Sequence, residues 1–212
     1  MQYLSFVKAF LNDRDTVGSI WPSSPLLVQE MVKKINERAN EENHILEVGA
    51  GTGVITKEIL SLLKEKDTLD IVEIHPEFAK ELRFMILNAQ KTNQVTVYET
   101  GIERFQSTKK YTHIISSLPL TNFNTTLVID IYKQFKRLLK EGGVLTYFEY
   151  QGLKARLFYS KIFFQKTHYK RLSGIKKVKE NFLKKRPFKM RSIFSNLPPA
   201  RVYHVNHLLK SK

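Results

Sequence analysis

The stretch Ile45-Leu46-Glu47-Val48-Gly49-Ala50-Gly51-Thr52-Gly53, continued by Val54-Ile55, decides the fold. Its apolar first half predicts a buried strand, three glycines at alternate positions predict a sharp turn, and Val54-Ile55 opens a helical pattern. A turn that brings backbone close to a ligand needs residues without Cβ. A second apolar run, Leu69-Asp70-Ile71-Val72-Glu73, ends in an acid 20 residues beyond Gly53. At that spacing nucleotide-binding α/β units place a carboxylate on the ribose hydroxyls.

Charge selects the nucleotide. Dinucleotide sites seat a pyrophosphate on the helix N-terminus behind a Gly-x-Gly-x-x-Gly turn. Here Glu47 stands just ahead of the glycines, where it would repel pyrophosphate but accept hydrogen bonds from an ammonium group. The run resembles the Glu-x-Gly-x-Gly-x-Gly signature of class I S-adenosylmethionine (SAM) methyltransferases. SAM is a sulfonium cation with an amino-acid tail and no phosphate.

At 212 residues the chain suits one α/β domain. It has no cysteine, and its six histidines are scattered without ligand spacing, so no metal is expected. Met1 to Phe6 lacks the basic-then-apolar layout of a secretory signal, and no apolar run spans a bilayer. A cytoplasmic protein is expected. The net charge of +15 is segregated: residues 151–212 hold 17 Lys/Arg against one acid, Glu180, leaving 18 bases and 19 acids before them. Such asymmetry points to a polyanionic partner, nucleic acid or an anionic membrane.

Alternating patterns predict strands ending at Val48 and Glu73 and over Val95–Tyr98, Thr112–Ser116 and Val144–Tyr150. Helices are expected over 54–66, from Pro76 to Ala89 and over 124–140, the last stopped by Gly142-Gly143. The pattern is that of a parallel, doubly wound sheet with helices on both faces. Beyond Gly152 a basic amphipathic helix is expected over Leu153–Thr167, a sixth strand over Ile175–Phe182 and a seventh over Arg201–Val205, the pair forming an antiparallel hairpin. Ligands of such sheets lie at the carboxyl ends of the strands. That rule gathers Gly49 to Gly53, Glu73, the Gly101 turn, Ser116 to Leu120 and Glu149 around one crevice.

Three more stretches, Asp15-Thr16-Val17-Gly18-Ser19-Ile20-Trp21-Pro22-Ser23-Ser24, Ser116-Ser117-Leu118-Pro119-Leu120 and Asn196-Leu197-Pro198-Pro199-Ala200-Arg201-Val202, complete a wider pattern. With the glycine turn, and from about Phe6 to Val205, they resemble the bacterial phospholipid N-methyltransferases, themselves similar to rRNA adenine dimethylases. The resemblance implies a mixed seven-stranded class I methyltransferase sheet over residues 25–212, preceded by an N-terminal helix and cofactor-covering segment in residues 1–24. It implies methyl transfer from SAM to the amine of phosphatidylethanolamine, up to phosphatidylcholine, at the inner face of the cell membrane; some similar enzymes methylate ornithine lipids. Glu47, Gly49, Gly51, Thr52 and Gly53 would cradle the methionine part of SAM, with Glu73 and Ile74 at the ribose. Ser23 and Ser24 would lie over the cofactor, and Ser116, Ser117 and Pro119 at the transfer site. The Gly-Asp pair usual after strand three is replaced by Glu99-Thr100-Gly101-Ile102-Glu103, so either Glu103 or the backbone of Ile102 meets the adenine amine.

Adenine dimethylases carry Asn-Leu-Pro-Tyr or a close variant after strand four, with the ring stacked on the extruded base. Ser117-Leu118-Pro119-Leu120 offers no such ring, a loss of about 1–3 kcal/mol of stacking, though Phe123 stands nearby. An rRNA or other nucleic-acid adenine methyltransferase is the alternative function. Tyr3, Leu4, Val7, Phe10 and Leu11 recur at helical spacing, which suits either a membrane-surface helix or one packed on the sheet. Transfer to a neutral amine needs no general acid and depends mainly on positioning. Glu149 and Tyr150, ending the fifth strand, are the candidate bases for the ammonium proton.

Overall fold

The computed structural model describes residues 24–37, 42–151, 166–196 and 198–207. Seven strands form one sheet: β1 (His44–Val48), β2 (Thr68–Glu73), β3 (Val95–Glu99), β4 (Tyr111–Ser116), β5 (Leu139–Tyr150), β6 (Phe188–Ile193) and β7 (Ala200–Asn206). Their order is β3-β2-β1-β4-β5-β7-β6. The first five strands are parallel, and β7 lies antiparallel between β5 and β6. This is the mixed sheet expected, the architecture of class I SAM methyltransferases.

Alternation along β1 divides the core. Leu46 and Val48 face a layer built from α4 (Thr125–Leu138) and α5 (Lys166–Lys184), numbered after α1 (Pro25–Asn36), α2 (Val54–Leu62) and α3 (Pro76–Asn88). Ile45 faces the opposite layer, formed by α1, α2 and α3. Both layers consist of buried Leu, Ile, Val and aromatic side chains, which is why the central strands are apolar on both faces. Two helices begin at side-chain caps: Ser24 Oγ accepts from Leu27 N (3.3 Å), and Asn124 Oδ1 from Leu127 N (2.8 Å).

Three boundaries differ from the sequence expectation. The strand expected over Ile175–Phe182 is the second half of α5. Leu172, Ile175, Val178, Phe182 and Leu183 recur at helical spacing and turn toward the sheet, so the period is 3.6 and not 2. The sixth strand lies instead at Phe188–Ile193, an edge strand whose exposed residues show no burial alternation. The helix expected to reach Lys140 stops at Leu138, and β5 starts at once, at Leu139. Gly142 (φ 72°) and Gly143 form the irregularity where the β4–β5 register shifts, with a Cβ on Gly143 meeting Lys140 O at 2.8 Å. Likewise α2 ends at Leu62, four residues short of expectation, because Leu63 is extended.

The sheet is tied across nearly its whole sequence length. Asn196, buried between β6 and β7, accepts from Ser24 N through Oδ1 (2.9 Å) and donates from Nδ2 to Pro198 O (2.8 Å). It joins the start of α1 to the last hairpin. Asn196→Ala should cost about 2 kcal/mol by leaving those backbone groups unpaired, lowering the thermal midpoint by about 4–8 °C in a chain of this size. An unchanged midpoint by calorimetry would exclude the link as a structural tie.

Candidate active site at the carboxyl ends of the parallel strands

The strand registers bring the predicted loops together. Val48 is level with Val72 and Ser116, and Glu73 with Glu99, so the segments leaving β1, β2, β3 and β4 adjoin. Backbone bonds extend the ladder past the strand ends: Gly49 N to Val72 O (2.8 Å), Ser117 N to Val48 O (2.9 Å) and Thr100 N to Glu73 O (3.1 Å). The crevice therefore has a hydrogen-bonded floor.

Its walls are the glycine turn and two buried carboxylates. Gly49, Gly51 and Gly53 all have positive φ (73°, 56° and 79°). A Cβ on Gly49 would strike Leu118 Cδ2 at 2.7 Å, and one on Gly53 would strike Met85 Cε at 2.7 Å. At Gly51 it would meet nothing within 4 Å. Two glycines therefore serve packing, and the middle one borders open space. Glu73 Oε2 accepts from Gly51 N (2.8 Å) and Oε1 from His75 N (2.9 Å), which locks the turn to the end of β2.

Glu47 is fully buried, and its Oε2 accepts from Thr56 Oγ1 (2.7 Å). Burial, with a smaller contribution from the nearby Glu73 charge, pushes its pKa up to about 8. Its other oxygen, Oε1, has no partner among the described residues. Three more buried, unpartnered side-chain atoms stand at the neighbouring strand ends: His75 Nδ1 after β2, Glu103 Oε2 after β3 and Ser117 Oγ after β4. Each unpaired buried polar atom costs about 1–3 kcal/mol, so four of them at or just beyond adjoining strand ends fit a ligand that supplies the missing bonds. SAM carries groups of the kind these atoms lack, an ammonium and an adenine amine. Glu103 folds its carboxylate over Gly101, against the spot a Cβ would occupy, while Ile102 is buried in the core and Ile74 half-buried beside Glu73. Glu103 Oε1 also lies 3.4 Å from Arg104 Nε, so both adenine contacts left open by the sequence stay open.

The remaining expectations divide. Ser116 is buried and accepts from Leu118 N (3.4 Å). Pro119 opens a short 3-10 turn, Leu120–Asn122, that sends Leu120 and Phe123 into the core. Phe123 is therefore shielded from solvent, in one cluster with Leu118 and Leu120. Glu149 is committed elsewhere, its Oε2 accepting from Lys179 Nζ at 2.6 Å with both side chains largely buried. Burial disfavours that ammonium, but the charge and hydrogen bond of Glu149, with a smaller contribution from Tyr203, together outweigh it and hold the Lys179 pKa above its ordinary value. A carboxylate so paired is not a free base, which corrects the role expected of Glu149. Burial raises the Tyr150 pKa, and its ring packs edge-on against Phe148, so it too is a poor base at neutral pH. Ser24 serves as helix cap and partner of Asn196; Ser23 and the helix expected before it lie outside the described residues, as does most of the basic helix expected over 153–167. Sequence reasoning missed Thr56, His75 and Lys179, whose roles arise from contacts that no local motif records.

The sequence pattern of the ribosomal RNA adenine dimethylase family matches residues 10–181. The chain belongs to that family. It is accordingly a SAM-dependent methyltransferase. It is 27% identical over 177 residues to the ornithine lipid N-methyltransferase of Singulisphaera acidiphila, covering 78% of this chain and 86% of that one. Among solved structures it shares its fold with the N-methyltransferase NodS of Bradyrhizobium japonicum bound to S-adenosyl-L-homocysteine (12% identity, TM-score 0.61, 88% and 89% covered). The same holds for a Bacillus cereus O-methyltransferase in complex with that product (14%, 0.67, 95% and 90%).

Two measurements test the site. Gly51→Val should abolish SAM binding in calorimetric titration by filling the open space, and Glu73→Ala should weaken it by releasing the turn; wild-type affinity in both would refute the assignment. The second concerns Glu47. Its folded pKa of about 8 lies above its ordinary 4.5, so the folded state binds the extra proton between those values. Stability of the ligand-free protein should therefore fall as pH rises through that window, by at most about 1.4 kcal/mol per unit. Glu47→Gln should flatten the fall in urea melts while weakening SAM binding; parallel profiles would contradict a buried, uncompensated carboxyl.

Proposed function

We propose that the enzyme transfers methyl groups from SAM to the amine of a lipid headgroup, phosphatidylethanolamine first and ornithine lipid next, at an anionic membrane surface. The observation that carries this reading is the loop after β4. Where an extruded adenine would need an aromatic face, Leu118 packs over Gly49, and Leu120 and Phe123 are buried. A small amine needs no such platform. Similarity to an ornithine lipid N-methyltransferase supports the same direction.

When bound, SAM supplies an electrophilic methyl on a sulfonium that is already a good leaving group. Glu47, in its ionised form, would hold the cofactor's ammonium, Glu73 its ribose hydroxyls and either Glu103 or the backbone of Ile102 its adenine amine. Ser116, Ser117 and Pro119 border the place where an acceptor amine must lie, and Ser117 Oγ has a free hydrogen-bonding capacity to orient it. With Glu149 and Tyr150 unsuited as bases, the ammonium proton leaves to solvent, and rate enhancement comes from positioning.

Exposed Lys176, Lys177, Lys184, Lys185 and Lys189 place part of the C-terminal charge excess on the surface, where each basic residue near an anionic leaflet contributes about 1 kcal/mol. No helix among the described residues is long and apolar enough to cross a membrane. Expression in a bacterial host lacking phosphatidylcholine, followed by lipid extraction and mass spectrometry, should reveal mono-, di- and trimethylated phosphatidylethanolamine. Unmethylated lipids alongside newly methylated ribosomal RNA adenine would reverse the conclusion in favour of the nucleic-acid reading.

A further inference from the structure

A groove of about 450 Å³ runs between α1 and β6, outside the crevice. Leu26 and Phe194 are among its lining residues, 51% and 74% exposed, as are Lys33 and Arg191, with Glu30 between them. Its direction follows from the topology. Because β6 is antiparallel to β7, and β7 to β5, β6 ascends with the parallel strands. Phe194, just beyond its end, thus lies at the same end of the sheet as the crevice, and the Asn196–Ser24 bond holds the first turn of α1 there too. The apolar pair forms the mouth. Lys33 lies about 10 Å farther down the helix from Leu26, and Arg191 about 10 Å down the strand from Phe194.

The floor is cationic in effect. Glu30 accepts from Arg191 Nη1 through Oε2 (2.7 Å), and its Oε1 lies 3.1 Å from His204 Nε2, so its charge is already compensated. Arg191 keeps its other donors and is largely exposed, and Lys33 stands 3.9 Å from Glu30 at the groove edge. Lys189 shares the α1 side of β6 by alternation. Apolar groups at one end and cations one side-chain length below match an amphiphile held by its phosphate, since lysine and arginine stems extend toward the apolar boundary. They do not match a free phosphate, which would gain nothing from Leu26 and Phe194. A nucleic-acid strand would want cations along the whole groove and no carboxylate in its floor.

We propose that this groove docks an anionic phospholipid of the bilayer, separate from the acceptor lipid: acyl chains over Leu26 and Phe194, phosphate against Lys33 and Arg191. The orientation rests on the reading that the crevice faces a bilayer to receive a lipid amine. One such anchor would hold the crevice mouth against the leaflet while acceptors come and go.

The test uses the full-length protein and vesicles of phosphatidylcholine with a rising fraction of phosphatidylglycerol, neither of which carries a methylatable amine. Sedimentation should show Leu26→Ser/Phe194→Ser binding roughly tenfold more weakly at every composition. Lys33→Gln should bind about fivefold more weakly only where phosphatidylglycerol is present. Calorimetric SAM affinity should be unchanged in both. Wild-type sedimentation of both variants would overturn the docking site, as would a lowered thermal midpoint in the double variant with vesicle binding intact, since the groove would then seat the chain's own residues. Methylation of phosphatidylethanolamine in detergent micelles, measured in parallel, reports on the proposed activity: its absence sinks that activity, while its presence with unaltered vesicle binding sinks only the groove.

Discussion

Everything at the crevice depends on the two backbone N–H groups that Glu73 accepts. One comes from Gly51 in the turn after β1 and the other from His75 after β2, so a single carboxylate fixes two loops against each other. Left-handed backbone at Gly51 would otherwise be one of many conformations open to a glycine. Each carboxylate oxygen has two acceptor positions, and only one on each is used this way. The same side chain can therefore build the site and still bind within it.

Two buried carboxylates in the same layer show how structure separates architecture from function. Burial pushes the pKa of Glu30 up, yet hydrogen bonds from His204 and Arg191 outweigh it and leave the group below its ordinary value. Glu47 has a single hydroxyl partner, Thr56, and its pKa is raised. The first is a satisfied ion in a structural network. The second is an acid kept half-satisfied, and a cationic ligand is the simplest group that restores balance. This contrast, more than the glycine spacing, supports the proposal that the turn takes an aminoacyl sulfonium and not a pyrophosphate.

The parallel half of the fold was legible because its signals are local. Apolar runs, positive-φ glycines and an acid in register all lie within about 30 residues, and the loops they specify adjoin as expected. The C-terminal third was not, for a physical reason. A helix with lysines on its outer face and a mixed inner face, α5, resembles a strand over eight residues, and edge strand β6 buries too little to announce itself. Glu149 looked like a free acid at a strand end because its partner, Lys179, lies 30 residues away on another element. Motif reading finds where a chain comes close to a ligand; it does not find what has already been neutralised.

The Asn196–Ser24 bond also bears on how the chain comes to be folded. It spans 172 residues, and the strand that carries β6 into the sheet, β7, is the last among the described residues. The glycine turn, Glu73 and Ser117 all emerge long before. The residues of the crevice are therefore made well before the partner that seats α1. The link from the first turn of α1 to Asn196 is thus a contact of very long sequence separation, the kind that slows folding because a long stretch of chain must be ordered to close it.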